Sequence, residues 1–334
     1  MTSDSALLTA YDAVLLDLDG TVYHGPRPIA GVAETIRAVR EHGTPVRFVT
    51  NNASKAPGDV AESLRGMDVA AEAGEVSTSA QAAARVLGER VRSGRKVLVV
   101  GAPALVAEIA AAGLEPVREV SDDVVAVVQG HSPDTGWHNL AEACLAIRAG
   151  ALWVACNVDA TLPTERGELP GNGSMVAALR TATGVEPVVA GKPAAPLFDT
   201  AASSAGAENA LVVGDRLDTD IAGAVTAGLD SLVVLTGVAT PASLLAAVPE
   251  ERPRYVAADL RGLAESAEDL LIGPQKEWQV QADGGTLVAS GTGDGLGLLR
   301  ALCHTAWETG VTAVRGEDVT ARAALADLGL AEAA

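Results

Sequence analysis

The sequence has few aromatic residues and few cysteines, and both shortages narrow the range of functions. Phe, Trp and Tyr together make up 3% of the 334 residues, which argues against a large surface for stacking nucleotide bases. The three cysteines, Cys144, Cys156 and Cys303, lie far apart in the chain and show no spacing typical of a disulfide framework. They are expected to be buried free thiols of a protein in the reducing cytoplasm.

Membrane and secretion signals are also lacking. No apolar run approaches about 18 residues without a charge, glycine or proline, so a membrane span is not expected. The polar start of the chain shows no basic region followed by an apolar core, so no signal peptide is expected. The formal net charge is −19, and repulsion at long range disfavours nucleic acids and anionic membranes as partners.

The length and the order of elements predict a layered α/β protein. A chain of 334 residues exceeds what one core usually holds, so two or three domains are expected. Short aliphatic strands alternate with amphipathic helices; residues 31–42, for example, place Val32, Ile36 and Val39 at helical spacing before a strand at 46–49. This alternation predicts parallel sheets covered by helices on both faces, as in a doubly wound, Rossmann-like fold.

The segment VLLDLDGT, residues 14–21, carries the most chemical information. Its aliphatic run predicts a buried parallel strand. Asp17 and Asp19 leave the carboxyl end of that strand two positions apart and therefore on the same side, where open α/β sheets bind their ligands. Two carboxylates so close repel each other unless a cation lies between them. A plain acidic turn is the alternative reading of this segment.

Three further segments follow in an order that matches a known family. They are FVTNN at 48–52, GKP at 191–193 and VVGDRLDTD at 212–220. Together with residues 14–21 they resemble the four motifs of the haloacid dehalogenase superfamily of aspartate-nucleophile phosphatases. The resemblance covers about residues 10–270.

The resemblance implies a role for each matching residue. Asp17 is the expected nucleophile, which forms an aspartyl phosphate, and Asp19 is the expected general acid and base. Mg²⁺ is the expected cofactor, held by Asp17, the backbone carbonyl of Asp19, and Asp215. The remaining motif positions bind phosphate (Thr50, the backbone amide of Asn51, and Lys192, one of four lysines) or support the site (Gly20, Thr21, Asp220). A carboxylate at position 19 favours phosphoester hydrolysis over dehalogenation.

The spacing of the motifs predicts the domain plan. About 140 residues separate Asn52 from Lys192, too many for a loop in a compact domain, and they show their own strand–helix alternation. We expect a catalytic core at 1–78 and 189–272, with an inserted α/β cap at 79–188 that resembles the large cap of the second type. The pattern restarts near residue 273 and leaves a small C-terminal α/β module at 273–334.

Two loops of the cap are candidates for recognising the leaving group. The first follows a strand at 124–128 and contains His131, although an exposed loop histidine without a role is an equal alternative. The second contains Asn157 and Asp159 and resembles the Asn-Pro-Asp segment of the family, with Val158 in place of proline. The sequence GNG at 171–173 could bring backbone amides to an anion, but a plain helix start is favoured.

The C-terminal module has a motif of its own. The sequence SGTGDGLG at 290–297 precedes an amphipathic stretch and resembles the coenzyme A loop of GCN5-related acetyltransferases. About 60 residues are too few for a complete acetyltransferase. A small packing or dimer-forming module is therefore favoured over a second enzyme.

The sequence as a whole predicts a magnesium-dependent phosphatase that hydrolyses a small phosphorylated metabolite. Glycerol 3-phosphate is the first candidate, by resemblance to bacterial relatives; phosphoglycolate, pyridoxal phosphate and sugar phosphates are alternatives. A phosphomutase or phosphotransferase could use the same aspartyl phosphate, and a non-catalytic sensor of phosphorylated metabolites is an alternative from a different class. A homodimer is a further hypothesis about partners.

Overall fold

A computed structural model describes residues 6–164 and 166–331 of the chain. The chain divides into two compact units: unit 1 comprises Met1–Val46 and Ala207–Ala334, and unit 2 comprises Arg47–Gly206. These units group the chain differently from the predicted domain boundaries, which stay a prediction.

The strands are short, as is usual for α/β proteins. In chain order they are β1 (Ala13–Asp17), β2 (Tyr23–His24), β3 (Arg27–Pro28), β4 (Val46–Thr50), β5 (Val76–Thr78), β6 (Lys96–Val100), β7 (Glu115–Val117), β8 (Val124–Gln129), β9 (Leu152–Ala155), β10 (Thr161–Thr164), β11 (Gly167–Pro170), β12 (Val188–Val189), β13 (Ala210–Gly214), β14 (Asp230–Val234), β15 (Tyr255–Ala257), β16 (Trp278–Asp283), β17 (Thr286–Gly291) and β18 (Val314–Gly316).

Helices separate most of the parallel strands. They are α1 (Val32–Glu41), α2 (Pro57–Arg65), α3 (Ser79–Arg90), α4 (Pro103–Ala111), α5 (Trp137–Arg148), α6 (Asn172–Thr183), α7 (Pro196–Ala205), α8 (Ala222–Ala227), α9 (Pro241–Leu245), α10 (Ala267–Leu270), α11 (Gly295–Thr309) and α12 (Val319–Asp327). A π-helical turn at Leu217–Ile221 leads into α8. In the described part of the chain, none of the helices has the length and apolar character needed to cross a membrane.

Unit 1 is built on parallel strands in the order β15-β14-β13-β1. All five residues of β13 are buried, as is typical of a strand covered on both faces. Helix α1 buries the predicted stripe Val32, Ile36 and Val39, and the helix stops before Gly43, whose φ of +91° suits glycine. The carboxyl ends of β1 and β13 thus lie side by side.

The C-terminal module belongs to unit 1 and shares its core. Strand β16 pairs antiparallel with β17, and β17 pairs parallel with β18. One continuous apolar cluster joins the turn after β13, helix α9 and strands β14 and β15 to the helices of the module; it includes Leu217, Ile221, Val233, Leu244, Val256, Leu298, Leu302 and Leu325. The module is therefore not an appendage with a separate core.

Unit 2 contains a second parallel sheet, in the order β12-β9-β8-β6-β7. Helices α5 and α6 cover one face of this sheet and bury Val127, Trp153 and Val176. Strands β4 and β5 pair in parallel, and β10 and β11 form a hairpin. Parallel sheets with covering helices and a small C-terminal sheet confirm the predicted α/β fold class.

Candidate active site

Three carboxylates of unit 1 converge at the carboxyl end of its sheet. Asp17 ends β1, Asp215 follows β13, and Asp220 lies in the π-helical turn beyond it. Each offers an oxygen atom within 4.8 Å of the others, and both Asp215 and Asp220 are buried. The pairing of Leu16 with Val213 accounts for this convergence, because it brings the next residues of the two parallel strands to the same edge.

The donor set fits a hard divalent cation. Three carboxylates at this separation repel one another unless positive charge lies among them, and carboxylate oxygens are the ligands that Mg²⁺ prefers. The backbone around Asp220 also holds its carboxylate in place, since the Arg216 amide donates to Oδ2 at 3.1 Å. Sequence reasoning predicted Asp17 and Asp215 as ligands and Asp220 as support, and the structure places all three together.

Asp19 lies outside this cluster. Its side chain is exposed, and the turn after it is closed by the Gly20 amide, which donates to the Tyr23 carbonyl at 2.8 Å. Gly20 has φ of +86°, and a Cβ there would lie 2.3 Å from Asp215 Oδ2, so glycine is required. Thr21 is fully buried behind the turn. The Asp19 carboxylate is therefore accessible to solvent beside the turn whose Gly20 packs against Asp215.

The loop at 236–240, after β14, is a part of the site that the sequence analysis missed. The Val238 amide donates to Asp215 Oδ2 at 2.7 Å, and the Ala239 amide donates to the Asp215 carbonyl at 2.8 Å. A Cβ at Gly237 would lie 1.9 Å from Asp215 Oδ2. A Thr-Gly pair that begins two residues beyond the end of β14, a strand of the same sheet, was the signal that could have pointed to this loop.

Asn51 is the centre of a hydrogen-bond network in unit 2. Its Oδ1 accepts from the Lys192 amide at 2.8 Å, and its Nδ2 donates to the Lys192 carbonyl at 3.1 Å. Nδ2 also lies 3.2 Å from both carboxylate oxygens of Asp159. The Asn51 carbonyl accepts from Asn157 Nδ2 at 2.7 Å and from Ser79 Oγ at 2.6 Å. Sequence reasoning predicted a role for the Asn51 amide but missed this role of its side chain, and it missed Ser79.

Thr50 and Lys192 flank this network. Thr50 ends β4, and its Oγ1 accepts from the Asn52 amide at 3.1 Å. Lys192 is buried, with 4% of its surface exposed. A buried ammonium group suits recognition of an anion. The structure thus joins the second and third motifs through Asn51.

The cap candidates leave neighbouring strands at one edge of the five-stranded sheet. Gln129 pairs with Ala155, so His131 and Asn157 follow their strands at equivalent positions. His131 is half-buried and Asn157 is buried. Asn157 Oδ1 accepts from the Asp159 amide at 3.3 Å, which links the two predicted residues of this loop.

The start of α6 is a plain helix start, as favoured from the sequence. The Gly171 amide donates to the Ala160 carbonyl and the Gly173 amide to the Asp159 carbonyl, so neither serves an anion. The Asn172 side chain is buried and donates to the Asn157 carbonyl at 2.7 Å. This segment supports the Asn157–Asp159 loop.

Sequence comparisons place the chain in a family. A model of the haloacid dehalogenase-like hydrolases matches residues 14–115, a HAD-hydrolase-like model matches residues 189–263, and a model of a GCN5-related N-acetyltransferase like domain matches residues 275–330. The chain belongs to the haloacid dehalogenase-like hydrolase family. Its C-terminal module resembles part of an acetyltransferase, as predicted.

Named relatives narrow the class to phosphatases. The chain is 50% identical over 307 residues to D-glycerol 3-phosphate phosphatase of Mycobacterium tuberculosis, covering 89% of this chain and 86% of that protein. It is 38% identical over 233 residues to a 5′-nucleotidase of Bacillus subtilis, covering 69% and 90%. A crystal structure of glycerol phosphate phosphatase from Mycobacterium tuberculosis in complex with magnesium has a TM-score of 0.93 and 49% identity, with 98% of this chain and 99% of that chain covered. The predictions of a phosphoric monoester hydrolase and of Mg²⁺ as its cofactor are confirmed.

Proposed function

We propose that this phosphatase hydrolyses glycerol 3-phosphate. The main support is the 50% identity to D-glycerol 3-phosphate phosphatase, which extends over 89% of the chain. The low aromatic content, 3%, also favours a small polar leaving group over a nucleoside, which aromatic side chains commonly bind by stacking.

The proposed chemistry proceeds in two steps. A carboxylate oxygen of Asp17 attacks phosphorus, the bond to the glycerol oxygen breaks, and Asp19 gives that oxygen a proton. Asp19 then takes a proton from water, which attacks the aspartyl phosphate and releases inorganic phosphate. Asp17, Asp215 and the Asp19 carbonyl would hold Mg²⁺, with Asp220 in support; the ion supplies positive charge to the phosphoryl group.

The remaining site residues have proposed roles in binding. Thr50, the Asn51 amide and Lys192 bind the phosphoryl oxygens, supported by the motif match and by the burial of Lys192. His131, Asn157 and Asp159 select the leaving group, supported by their positions at the edge of the sheet in unit 2. We infer that the catalytic core comprises 1–78 and 189–272, the cap 79–188 and the C-terminal module 273–334.

We infer further that the enzyme works in the cytoplasm, binds no nucleic acid and does not insert into membranes. The support is the net charge of −19 and the presence of three free cysteines. A homodimer stays a hypothesis.

A phosphate-release screen tests the substrate. Glycerol 3-phosphate, phosphoglycolate, pyridoxal phosphate, sugar phosphates and nucleoside 5′-monophosphates are compared by kcat/KM, with Mg²⁺ and after chelation. We expect the highest kcat/KM for glycerol 3-phosphate and no release without the metal. A higher kcat/KM for another ester would contradict the proposal and identify that ester as the preferred substrate. Full activity after chelation would contradict the proposed chemistry.

A further inference from the structure

The C-terminal module contacts the segment that directly follows the loop holding Asp215. That loop, 236–240, donates two backbone amides to Asp215, and α9 begins immediately after it at Pro241. Thr240 caps α9 by accepting from the Ser243 amide at 3.1 Å. The position of α9 therefore fixes where the loop at 236–240 ends.

Helix α11 of the module packs against α9 and forms a hydrogen bond with it. Trp307 Nε1 donates to the Leu244 carbonyl at 2.9 Å, one of the last carbonyls of α9. Leu244 and Leu245 are buried in the apolar cluster that includes Leu298 and Leu302 of α11. The Arg252 guanidinium lies 5.3 Å from the centre of the Trp307 ring and donates to the Ala247 carbonyl at 3.1 Å. Trp307 thus sits between α9 and the segment that follows it.

An arginine of the module, Arg300, forms hydrogen bonds with the sheet of unit 1. Arg300 of α11 is 5% exposed, and its guanidinium donates to the Val256 carbonyl from Nη2 at 3.0 Å and from Nε at 3.3 Å. Val256 belongs to β15, at the end of the strand order β15-β14-β13-β1. The module therefore contacts two segments of the unit that carries the carboxylate cluster.

Two backbone amides of the glycine-rich loop of the module, 290–297, already donate hydrogen bonds to carboxylates of the chain itself. Asp294 Oδ1 accepts from the Gly297 amide at 2.6 Å, and Asp318 Oδ2 accepts from the Gly291 amide at 2.9 Å. A Cβ at Gly293 would lie 2.4 Å from Trp278 Nε1, which donates to the Asp294 carbonyl. Packing against Trp278 thus accounts for Gly293, and two negative charges oppose binding of a pyrophosphate at this helix start.

We propose that the C-terminal module positions the metal ligand Asp215. Trp307 donates a hydrogen bond to α9 and so fixes its position. Helix α9 in turn fixes the end of the loop at 236–240, and the Val238 amide of that loop orients the Asp215 carboxylate. Trp307 is then a positioning residue of the phosphatase, although it belongs to the acetyltransferase-like part of the chain. This inference rests on the proposed metal-dependent function, but not on the identity of the substrate.

The test compares two tryptophans of the module. Trp307→Phe removes the indole donor to Leu244. Trp278→Phe removes an equivalent donor, at the same distance of 2.9 Å, that acts only within the module. The dissociation constant of Mg²⁺ is measured by titration calorimetry without substrate, and the melting temperature is measured without metal.

We expect Trp307→Phe to weaken Mg²⁺ binding by about threefold to tenfold, in line with the usual net value of one hydrogen bond. The Mg²⁺ concentration for half-maximal phosphate release should rise by the same factor, while KM for the phosphoester stays unchanged. Trp278→Phe should lower the melting temperature but leave the Mg²⁺ dissociation constant unchanged. An equal effect of both variants, or an unchanged constant in Trp307→Phe, would overturn the proposal.

A milder variant keeps the test decisive if Trp307→Phe does not fold. Arg252→Gln removes the cation from the Trp307 ring together with the guanidinium bond to the Ala247 carbonyl, and it leaves the bond from Trp307 to Leu244 in place. We expect a weaker shift of the Mg²⁺ dissociation constant in the same direction, about twofold. No shift in a folded Arg252→Gln protein would contradict the proposal. Because Mg²⁺ binding is measured without substrate, failure of glycerol 3-phosphate as a substrate would be seen separately.

Discussion

Asp17 and Asp19 are separated by a single residue, Leu18, yet the structure gives their carboxylates different surroundings. Asp17 is half-buried and shares its site with Asp215 and Asp220, whereas Asp19 is exposed beyond the turn. The proposed nucleophile is thus the carboxylate that lies within the cluster, and the proposed general acid is the carboxylate that solvent reaches. The two proposed roles are therefore supported by the positions of the side chains as well as by the motif.

Asp17→Asn should abolish turnover and leave the fold intact, because an amide cannot form the aspartyl phosphate. Phosphate release at steady state measures the loss, and circular dichroism shows whether the variant is folded. Sustained release of phosphate by the folded variant would refute the assignment of Asp17 as nucleophile.

Asp19→Asn should lower kcat for glycerol 3-phosphate by about 10²- to 10⁴-fold, the usual contribution of general acid–base catalysis. The loss should be smaller for p-nitrophenyl phosphate, whose leaving group hardly needs a proton. The two esters are compared on the same preparation. Equal losses on both would argue against Asp19 as the general acid.

The cysteines should differ in reactivity because burial controls thiolate formation. Burial raises the pKa of Cys303 to about 12 and raises that of Cys156 as well, while Cys144 is only half-buried. A group with a raised thiol pKa stays protonated at pH 8, and the thiolate is the reactive form. A thiol reagent should therefore modify one cysteine rapidly in the native protein and all three in denaturant. Rapid modification of Cys303 in the native protein would contradict the structure.

At the scale of elements, the sequence predicts what depends on local pattern. Buried parallel strands are aliphatic runs that end in polar residues, so β1, β8 and β13 could be located closely, and glycine after α1 marked the end of that helix. Strands of three residues such as β5, β7 and β15 are too short to show a period. The Asn51 network and the loop at 236–240 depend on which distant loops meet, and no local pattern encodes that.

Asn51→Ala should destabilise unit 2 by about 1–3 kcal/mol, because the amide and carbonyl of Lys192 lose their partner on the Asn51 side chain. Loss of the bond to Asp159 should also lower kcat/KM for the phosphoester. Thermal unfolding and phosphate release measure the two effects. Asn52→Ala is the matched control, because within the described part of the chain the exposed Asn52 side chain accepts only from the amide and the hydroxyl of Ser54. An equal decrease in the free energy of unfolding in both variants would show that the network around Asn51 does not stabilise the loops that contain Asp159 and Lys192.

At the scale of the whole chain, the sequence and the structure give different pictures of the C-terminal module. The break in the sequence pattern near residue 273 predicted a module outside the phosphatase plan. The structure gives the module one apolar core with the strands and turns of unit 1, including residues beside Asp215 and Asp220. Sequence pattern shows where a segment starts, but not which existing surface its apolar residues cover.

Truncation after Gly273 should therefore yield a protein that aggregates. The deletion removes α11, uncovers Leu244 and Val256 of the common core, and leaves the Val256 carbonyl without the Arg300 guanidinium. A large exposed apolar patch beside an uncovered strand favours association between chains. Size-exclusion chromatography and the melting temperature measure the effect, and truncation after Ala331, which keeps α11 and α12 whole, is the control. A truncated protein that stays monodisperse, with the melting temperature and the Mg²⁺ dissociation constant of the full chain, would show that the core of unit 1 is complete without its C-terminal module.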